Sequence, residues 1–227
     1  ALMEALFSSL LGNVDWYEIW LATLDTLLML GGSLLFTILL GLPLGVLLFL
    51  SGPRQLFEHG PLYAALSFVV NVLRSLPFII LLIVMIPFTV LITGTSLGVA
   101  GAIPPLVVGA APFFARLVET ALREVERGVI EASLAMGATT RQLVLRVLLP
   151  EALPGLIAGA TVTTIALIGF TAMGGAIGSG GLGDLAYRDG YLRSRTDVAV
   201  VTVVALLVMV QVLQMVGDRL VARFTRR

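Results

Sequence analysis

Two residue types are missing from this 227-residue chain altogether: cysteine and lysine. Without cysteine there is no disulfide, no thiolate nucleophile and no cysteine metal site. Without lysine there is no Walker A phosphate loop, which places a lysine on the β- and γ-phosphates, and no Schiff-base lysine. The only histidine, His59, excludes a histidine cluster. Charge is scarce as well. Charged residues make up 12% of the chain, against about 25% in a typical soluble domain. A formal net charge of zero gives no bulk attraction to nucleic acid. The chain is therefore expected not to be an enzyme, and if it serves an energy-driven machine another chain supplies the energy.

What is present is apolar surface. Hydrophobic residues account for 58% of the sequence, and mean hydropathy is +1.05. A soluble fold of this size cannot hide that much apolar surface, so the expected solvent is lipid and the expected fold is an all-α integral membrane protein. A spanning helix needs roughly 20 apolar residues. Five uncharged stretches of about that length occur, near 27–50, 75–93, 97–115, 153–177 and 198–217. The third also fits 104–122, because Pro104 and Pro105 suit a helix start. No secretory signal stands out: acidic Glu4, Asp15 and Glu18, rather than a basic segment, precede the first span. The start at Ala1 fits a trimmed N-terminus.

Arginine placement gives an orientation. Segment 51–61, segment 116–151 and the tail together carry ten arginines, while segment 178–197 carries three and Arg74 stands apart. The ten-arginine side is expected to be cytoplasmic, which puts the N-terminus outside and the C-terminus inside. Trp16, Tyr17 and Trp20 fit an outer aromatic belt.

Several polar features lie on or beside these spans. Tyr63, Ser67, Asn71 and Arg74 recur at i, i+4, i+8 and i+11, a stripe on a helix expected to continue into the second span. Arg74 fits either a snorkelling anchor at the membrane edge or a group facing the bundle interior or a neighbouring subunit. Gly41-x-x-x-Gly45 and Gly155-x-x-x-Gly159 match the small-residue spacing of close helix contacts, though glycine is common in membrane helices anyway. Thr161, Thr164 and Thr171 fall near one face of the fourth span and Met173 follows. They fit a pathway lining with Met173 as an adaptable gate. Local hydroxyl-to-carbonyl bonds and ordinary methionine packing fit equally. Gln211, Gln214 and Asp218 form a second stripe, read as interhelical hydrogen bonding.

The segment from about 124 to 151 is the most informative. Arg116, Glu119 and Arg123 just before it have the spacing of exposed ion pairs on a helix. A short helix near 129–136 is ended by Gly137 in the left-handed conformation. Thr139-x-x-Gln142 reads as a capping box opening a second short helix, with Pro150 just past it and Pro154 starting the fourth span. By shape alone this fits an amphipathic helix lying at the headgroups or a docking element.

The residues themselves add a resemblance. Glu131-Ala132-Ser133-x-x-x-Gly137, then nine residues beginning with Ala138, then Val147-x-Leu149-Pro150, closely resemble the EAA motif of ABC importer permeases. Ser133 and Val147 depart from the family's usual alanine and isoleucine. The runs 74–80, 85–89, 109–113, 172–176, 180–183 and 187–191 are similar to the permeases of methionine ABC importers. The resemblance implies a type I importer permease with five spans and short cytoplasmic coupling helices. It implies a homodimer in the bacterial inner membrane, resting on two ATPase subunits that hold ATP and Mg, so that this chain carries no cofactor. It also implies a binding protein, usually lipid-anchored, that delivers methionine in its D or L form or as a derivative. Glu131 and Ala132 would then lie in the docking helix, Gly137 would make its turn, and Leu149 with Pro150 would fix the return to the membrane.

Gly178-x-Gly180-x-x-Gly183 matches the dinucleotide fingerprint literally, but a membrane span precedes it where a strand is required. Tight backbone turns at the outer mouth are expected instead. Asp184, Tyr187, Arg188, Asp189 and Tyr191 fit either a surface meeting the binding protein or an ordinary solvated loop. Other readings stay open: a permease for another amino acid or small solute, an ion-coupled secondary transporter, or a channel. The carrier reading lacks an acidic group near the middle of any span, and the channel reading leaves segment 124–151 unexplained.

Overall fold

The computed structural model describes residues 14–225. Glu4, Arg226 and Arg227, weighed above, lie outside them. The described residues are helical throughout, with no strand. In chain order the helices are α1 (Trp16–Ser51), α2 (Gly60–Ser75), α3 (Phe78–Val84), α4 (Ile86–Thr93), α5 (Gly98–Arg123), α6 (Arg127–Ala135), α7 (Thr140–Leu143), α8 (Leu149–Glu151), α9 (Leu153–Gly175), α10 (Gly181–Leu185) and α11 (Thr196–Thr225). Two π-helical turns, Val144–Leu148 and Ala186–Leu192, follow α7 and α10. Four helices, α1, α5, α9 and α11, are long and apolar enough to cross a membrane, and the broken pair α2 and α3 raises the number to five.

Several boundaries differ from the sequence reading. Helix α1 begins at Trp16 rather than near 27, because the Asp15 carboxylate accepts from the Tyr17 and Glu18 amides at 3.0 and 3.3 Å and caps a helix that includes the aromatic residues. The stretch 75–93 is not one helix. Leu76 is extended, at φ −73° and ψ 129°, as the residue before Pro77 prefers. A second break falls at Met85, before Pro87. Helix α5 starts at Gly98 and carries Pro104 and Pro105 inside it, where the expected third span either ended earlier or began at the prolines. Membrane helices tolerate internal proline when neighbours satisfy the freed carbonyls.

The chain forms two compact units. One gathers the described part of Ala1–Leu34 with Pro77–Val107 and Ile165–Val212; the other gathers Leu35–Leu76, Val108–Thr164 and the described part of Leu213–Arg227. In the first, the Thr26 hydroxyl donates to the Ala22 carbonyl and accepts from the Leu182 amide, both at 2.9 Å. That bond ties the start of α10 to α1. Phe78 and Phe170 stack at 4.4 Å between ring centroids.

In the second unit the last turns of α5 are gripped by two glycine pairs. A Cβ on Gly41 would stand 2.9 Å from the Ala111 carbonyl oxygen, and one on Gly45 would stand 2.5 Å from that of Ala115. A Cβ on Gly155 or Gly159 would crowd Ala121 or Leu117, at 2.9 and 3.1 Å. Both small-residue motifs are thus helix contacts, and both face α5. Such close approach matters in lipid, where packing rather than the hydrophobic effect holds helices together. Around this grip Phe114, Val118, Ala121 and Leu122 of α5, with Val125 just beyond it, form one core with Phe49 and Leu50 of α1 and with Leu143, Leu148 and Ala152. Placing valine at Gly45 is expected to destabilise the protein by about 1–3 kcal/mol through overpacking. Heating the detergent-solubilised variant and measuring the folded fraction checks this, with Gly31→Ala as the control because nothing lies within 4 Å of its Cβ position.

Candidate functional site

Segment 124–151 folds as a hairpin of two short helices. Helix α6 ends in a Schellman turn: Gly137, at φ 83°, donates to the Leu134 carbonyl at 2.9 Å and Ala138 donates to that of Ser133 at 3.1 Å. Two residues later the capping box is formed. The Thr139 amide donates to Gln142 Oε1 at 2.9 Å and the Gln142 amide donates to Thr139 Oγ1 at 3.4 Å. Both turns were legible in the sequence. The expected stop at Pro150 is not found. The helix passes through it, because the preceding π-turn lets the Leu149 amide reach back to the Val144 carbonyl and Pro150 falls in the first turn of α8, where no N–H is needed.

The motif residues divide by burial. Glu131, Ala132, Gly137 and Pro150 are exposed, Ala138, Val147 and Leu149 are half-buried, and Ser133 is buried with its hydroxyl donating to the Val129 carbonyl at 2.7 Å. Sequence reasoning overlooked the residues on either side of that division. Leu143 and Leu148 are fully buried anchors, whereas Leu134, Met136 and Leu145 stand 38%, 82% and 53% exposed. These exposed apolar residues stand in a segment otherwise rich in charge. Its position four residues after Ala132 was the available signal for Met136. A groove of about 250 Å³ runs beside α6, lined by Arg54, Gln55, Leu56, Arg127, Ile130, Glu131 and Leu134.

The polar stripe of α2 meets α5. Tyr63 donates to Glu119 at 3.1 Å, and Arg116 donates to Glu119 at 2.6 Å, to Ser67 at 2.8 Å and to Asn71 at 2.9 Å. Arg123 adds bonds to Glu119 at 2.8 and 3.2 Å. Arg74 lies with its guanidinium 5.6 Å from the Phe113 ring centroid, a cation–π contact. Expected as an exposed ion pair, Glu119 is instead 2% exposed. The ion pairs along α5 form at the expected spacing, but Tyr63 of α2 joins them at a carboxylate that is buried rather than solvated.

The threonines of α9 bond locally. Thr161, Thr164 and Thr171 each donate to a carbonyl three or four residues back in their own helix, at 2.7–2.9 Å. Thr164 and Thr171 are buried, while Met173 is 51% exposed. The stripe on α11 closes on itself in part, with Gln214 donating to Asp218 at 2.9 Å.

The glycine-rich segment turns tightly, as expected, with Gly178, Gly180 and Gly181 all at positive φ. Of the candidate contact residues beyond it, Asp189 is 2% exposed. It is an internal anchor that accepts from Arg193 at 3.2 Å and pairs with Arg188 at 3.3 Å. Arg188 also pairs with Glu18 at 2.8 Å and lies 4.0 Å from the half-buried Asp184. Tyr187 and Tyr191 stack at 5.9 Å and remain 40% and 73% exposed, beside Leu192 at 60%.

With this geometry in place, similarity to known proteins is informative. The family described as binding-protein-dependent transport system inner membrane component matches residues 37–227. The methionine import system permease protein MetP of Bacillus subtilis is 49% identical over 213 residues, covering 94% of this chain and 96% of that protein. The probable D-methionine transport system permease protein MetI of Vibrio cholerae is 45% identical over 223 residues, covering 98% and 96%. An inward-facing structure of the MetNI methionine ABC transporter superposes with a TM-score of 0.91 at 50% identity, covering 93% of this chain and 98% of that one.

Asp189→Ala is expected to loosen segment 186–195 by leaving Arg193 without its carboxylate, whereas Tyr191→Ala leaves the segment intact. Amide hydrogen exchange across 186–195 distinguishes the two, rising in the first variant alone.

Proposed function

The chain belongs to the inner membrane components of binding-protein-dependent transport systems, and from that premise we propose that it is the permease subunit of an ATP-driven methionine importer. Two copies would form the path. Two cytoplasmic ATPase subunits would hold ATP and Mg, and a binding protein, lipid-anchored outside, would deliver D- or L-methionine or a derivative. The ten-arginine side faces the cytoplasm in this reading, with the N-terminus outside.

The observation that carries the reading is the hairpin 124–151. It exposes Leu134, Met136 and Leu145, while Leu143 and Leu148 lock it into the core with the end of α5. A small rigid element held this way moves as a body with the helix behind it, which a docking loop between a permease and an ATPase requires. Glu131 and Arg127 on the groove beside α6 supply polar contacts for the same partner.

At the other functional sites the proposal is narrower than the sequence reading. Met173, exposed on α9, is the gate candidate; Thr164 and Thr171 pack within the chain and contribute helix stability. Arg74, with its charge stacked on Phe113, and Asn71 remain pathway candidates on α2. Tyr187, Arg188 and Tyr191 form the surface offered to the binding protein, with Leu192, and Asp184 stands at its edge. Asp189 holds that surface in shape from within.

Three outcomes follow. Reconstituted with its ATPase and binding protein in liposomes, the complex is expected to hydrolyse ATP in response to methionine and to import it; import driven by an ion gradient with no ATPase present would overturn the proposal. Gly137→Pro removes the amide bonded to Leu134 and forbids φ 83°. It is expected to leave the helices inserted and ATP hydrolysis present while import falls by about tenfold or more, since a misplaced coupling element acts like a lost conformational step. Met173→Trp is expected to block import with assembly unchanged, and unimpaired uptake would remove Met173 from the pathway.

A further inference from the structure

The contact between α2 and α5 is unusual in what holds it. Val70 is the one residue of α2 that is fully buried among its apolar positions, and Leu62, Phe68, Val69 and Val72 stand 43–69% exposed. Val70 packs with Ala115 of α5 and Leu48 in one small cluster, with Leu66 beside it, and the polar part of the contact is the set of bonds around Glu119 and Arg116. The Glu119 side chain, 3% exposed, faces the guanidinium groups of Arg116 and Arg123, which are 21% and 39% exposed. Burying a carboxylate costs several kcal/mol even when it is paired, and an apolar side chain of similar size often holds two helices together as well or better. The best-attested return on such a buried polar network is fixed register. Here the register is pinned at two levels, by Tyr63 on Glu119 and by Ser67 with Asn71 on Arg116.

The other side of the same turns carries the docking hairpin. At 3.6 residues per turn, Arg116, Glu119 and Arg123 lie on one face of α5. Val118, Ala121 and Leu122 lie on a different face, packed in the core with Leu143 and Leu148. The end of α5 is therefore a bar with the hairpin seated by apolar contact on one face, and on the other α2 held by one small apolar cluster and the polar network of Glu119 and Arg116.

We infer that Glu119 is a positioning residue for coupling: it fastens α2 to α5 in a single register, so that movement of the 124–151 hairpin is passed to α2 without slippage. The inference rests on the permease reading. Glu119→Gln keeps the size and one acceptor but leaves two arginines facing a neutral group, and α2 can then slip relative to α5.

The test is the number of ATP molecules hydrolysed per methionine imported by the reconstituted complex of permease, ATPase and binding protein in liposomes. For Glu119→Gln this ratio is expected to rise about tenfold, the equivalent of one charge-assisted hydrogen bond. Tyr63→Phe, which removes the hydroxyl's bonds to Glu119 and Arg123 and leaves the charges unchanged, is expected to raise it by a smaller factor and serves if the first variant does not assemble. The chain has no native cysteine, so cysteines at 63 and 119 bridged by a short bis-maleimide are expected to bring the ratio back toward wild type. An unchanged ratio with less assembled complex means a purely structural role and overturns the inference, as does a bridged pair that stays uncoupled. A wild-type complex that imports no methionine would instead sink the permease reading itself.

Discussion

Everything described in the second unit depends on how closely other helices approach the end of α5. In lipid an apolar side chain gains nothing by leaving the solvent for the bundle, so association rests on van der Waals fit and on polar bonds. Gly41 and Gly45 remove the side chains that would hold α1 away from Ala111 and Ala115. Gly155 and Gly159 do the same for α9 against Ala121 and Leu117. With both helices drawn in, Val118, Leu122 and Val125 have the neighbours that enclose Leu143 and Leu148 at full burial. A hairpin that would otherwise drift at the membrane surface is thereby made part of the bundle.

This arrangement gives a division of labour along the chain. The hairpin offers exposed apolar and charged residues on a base that Leu143 and Leu148 hold in the core. Its turn chemistry is local, a Schellman glycine followed by a capping box, and needs nothing from the rest of the protein. Its position is not local at all: it comes from the packing of α5 against α1 and α9. The segment 181–197 follows the same logic with different chemistry. There a buried carboxylate, Asp189, organises Arg188 and Arg193 beneath two stacked and exposed tyrosines.

Much of this was legible before any coordinates. Apolar length gave the spanning helices, glycine spacing gave the close contacts, and Gly137 with Thr139 and Gln142 gave both turns of the hairpin. What the sequence withheld was partnership between distant segments. Arg116, Glu119 and Arg123 have the same i, i+3, i+4 spacing whether they are solvated or buried. Only the placement of Tyr63, Ser67 and Asn71 across from them decides that Glu119 is buried. Asp189 was misread for the same reason, since a carboxylate in a charged loop looks solvated until its arginines fold over it. The break at Leu76 and Pro77 was hidden by continuous hydropathy, which registers apolar length and not the backbone restriction before proline.

In the importer we propose, the 124–151 hairpin would meet an ATPase on the cytoplasmic side and the Tyr187–Tyr191 surface would be reachable from outside. A chain without cysteine permits a direct measurement with single substitutions, Met136→Cys and Tyr191→Cys, in intact cells. A membrane-impermeant maleimide is predicted to label position 191 and not position 136, and a heterobifunctional reagent at 136 is predicted to capture the ATPase subunit. Labelling of 136 from outside the cell would contradict the account, as would capture of the ATPase from position 191.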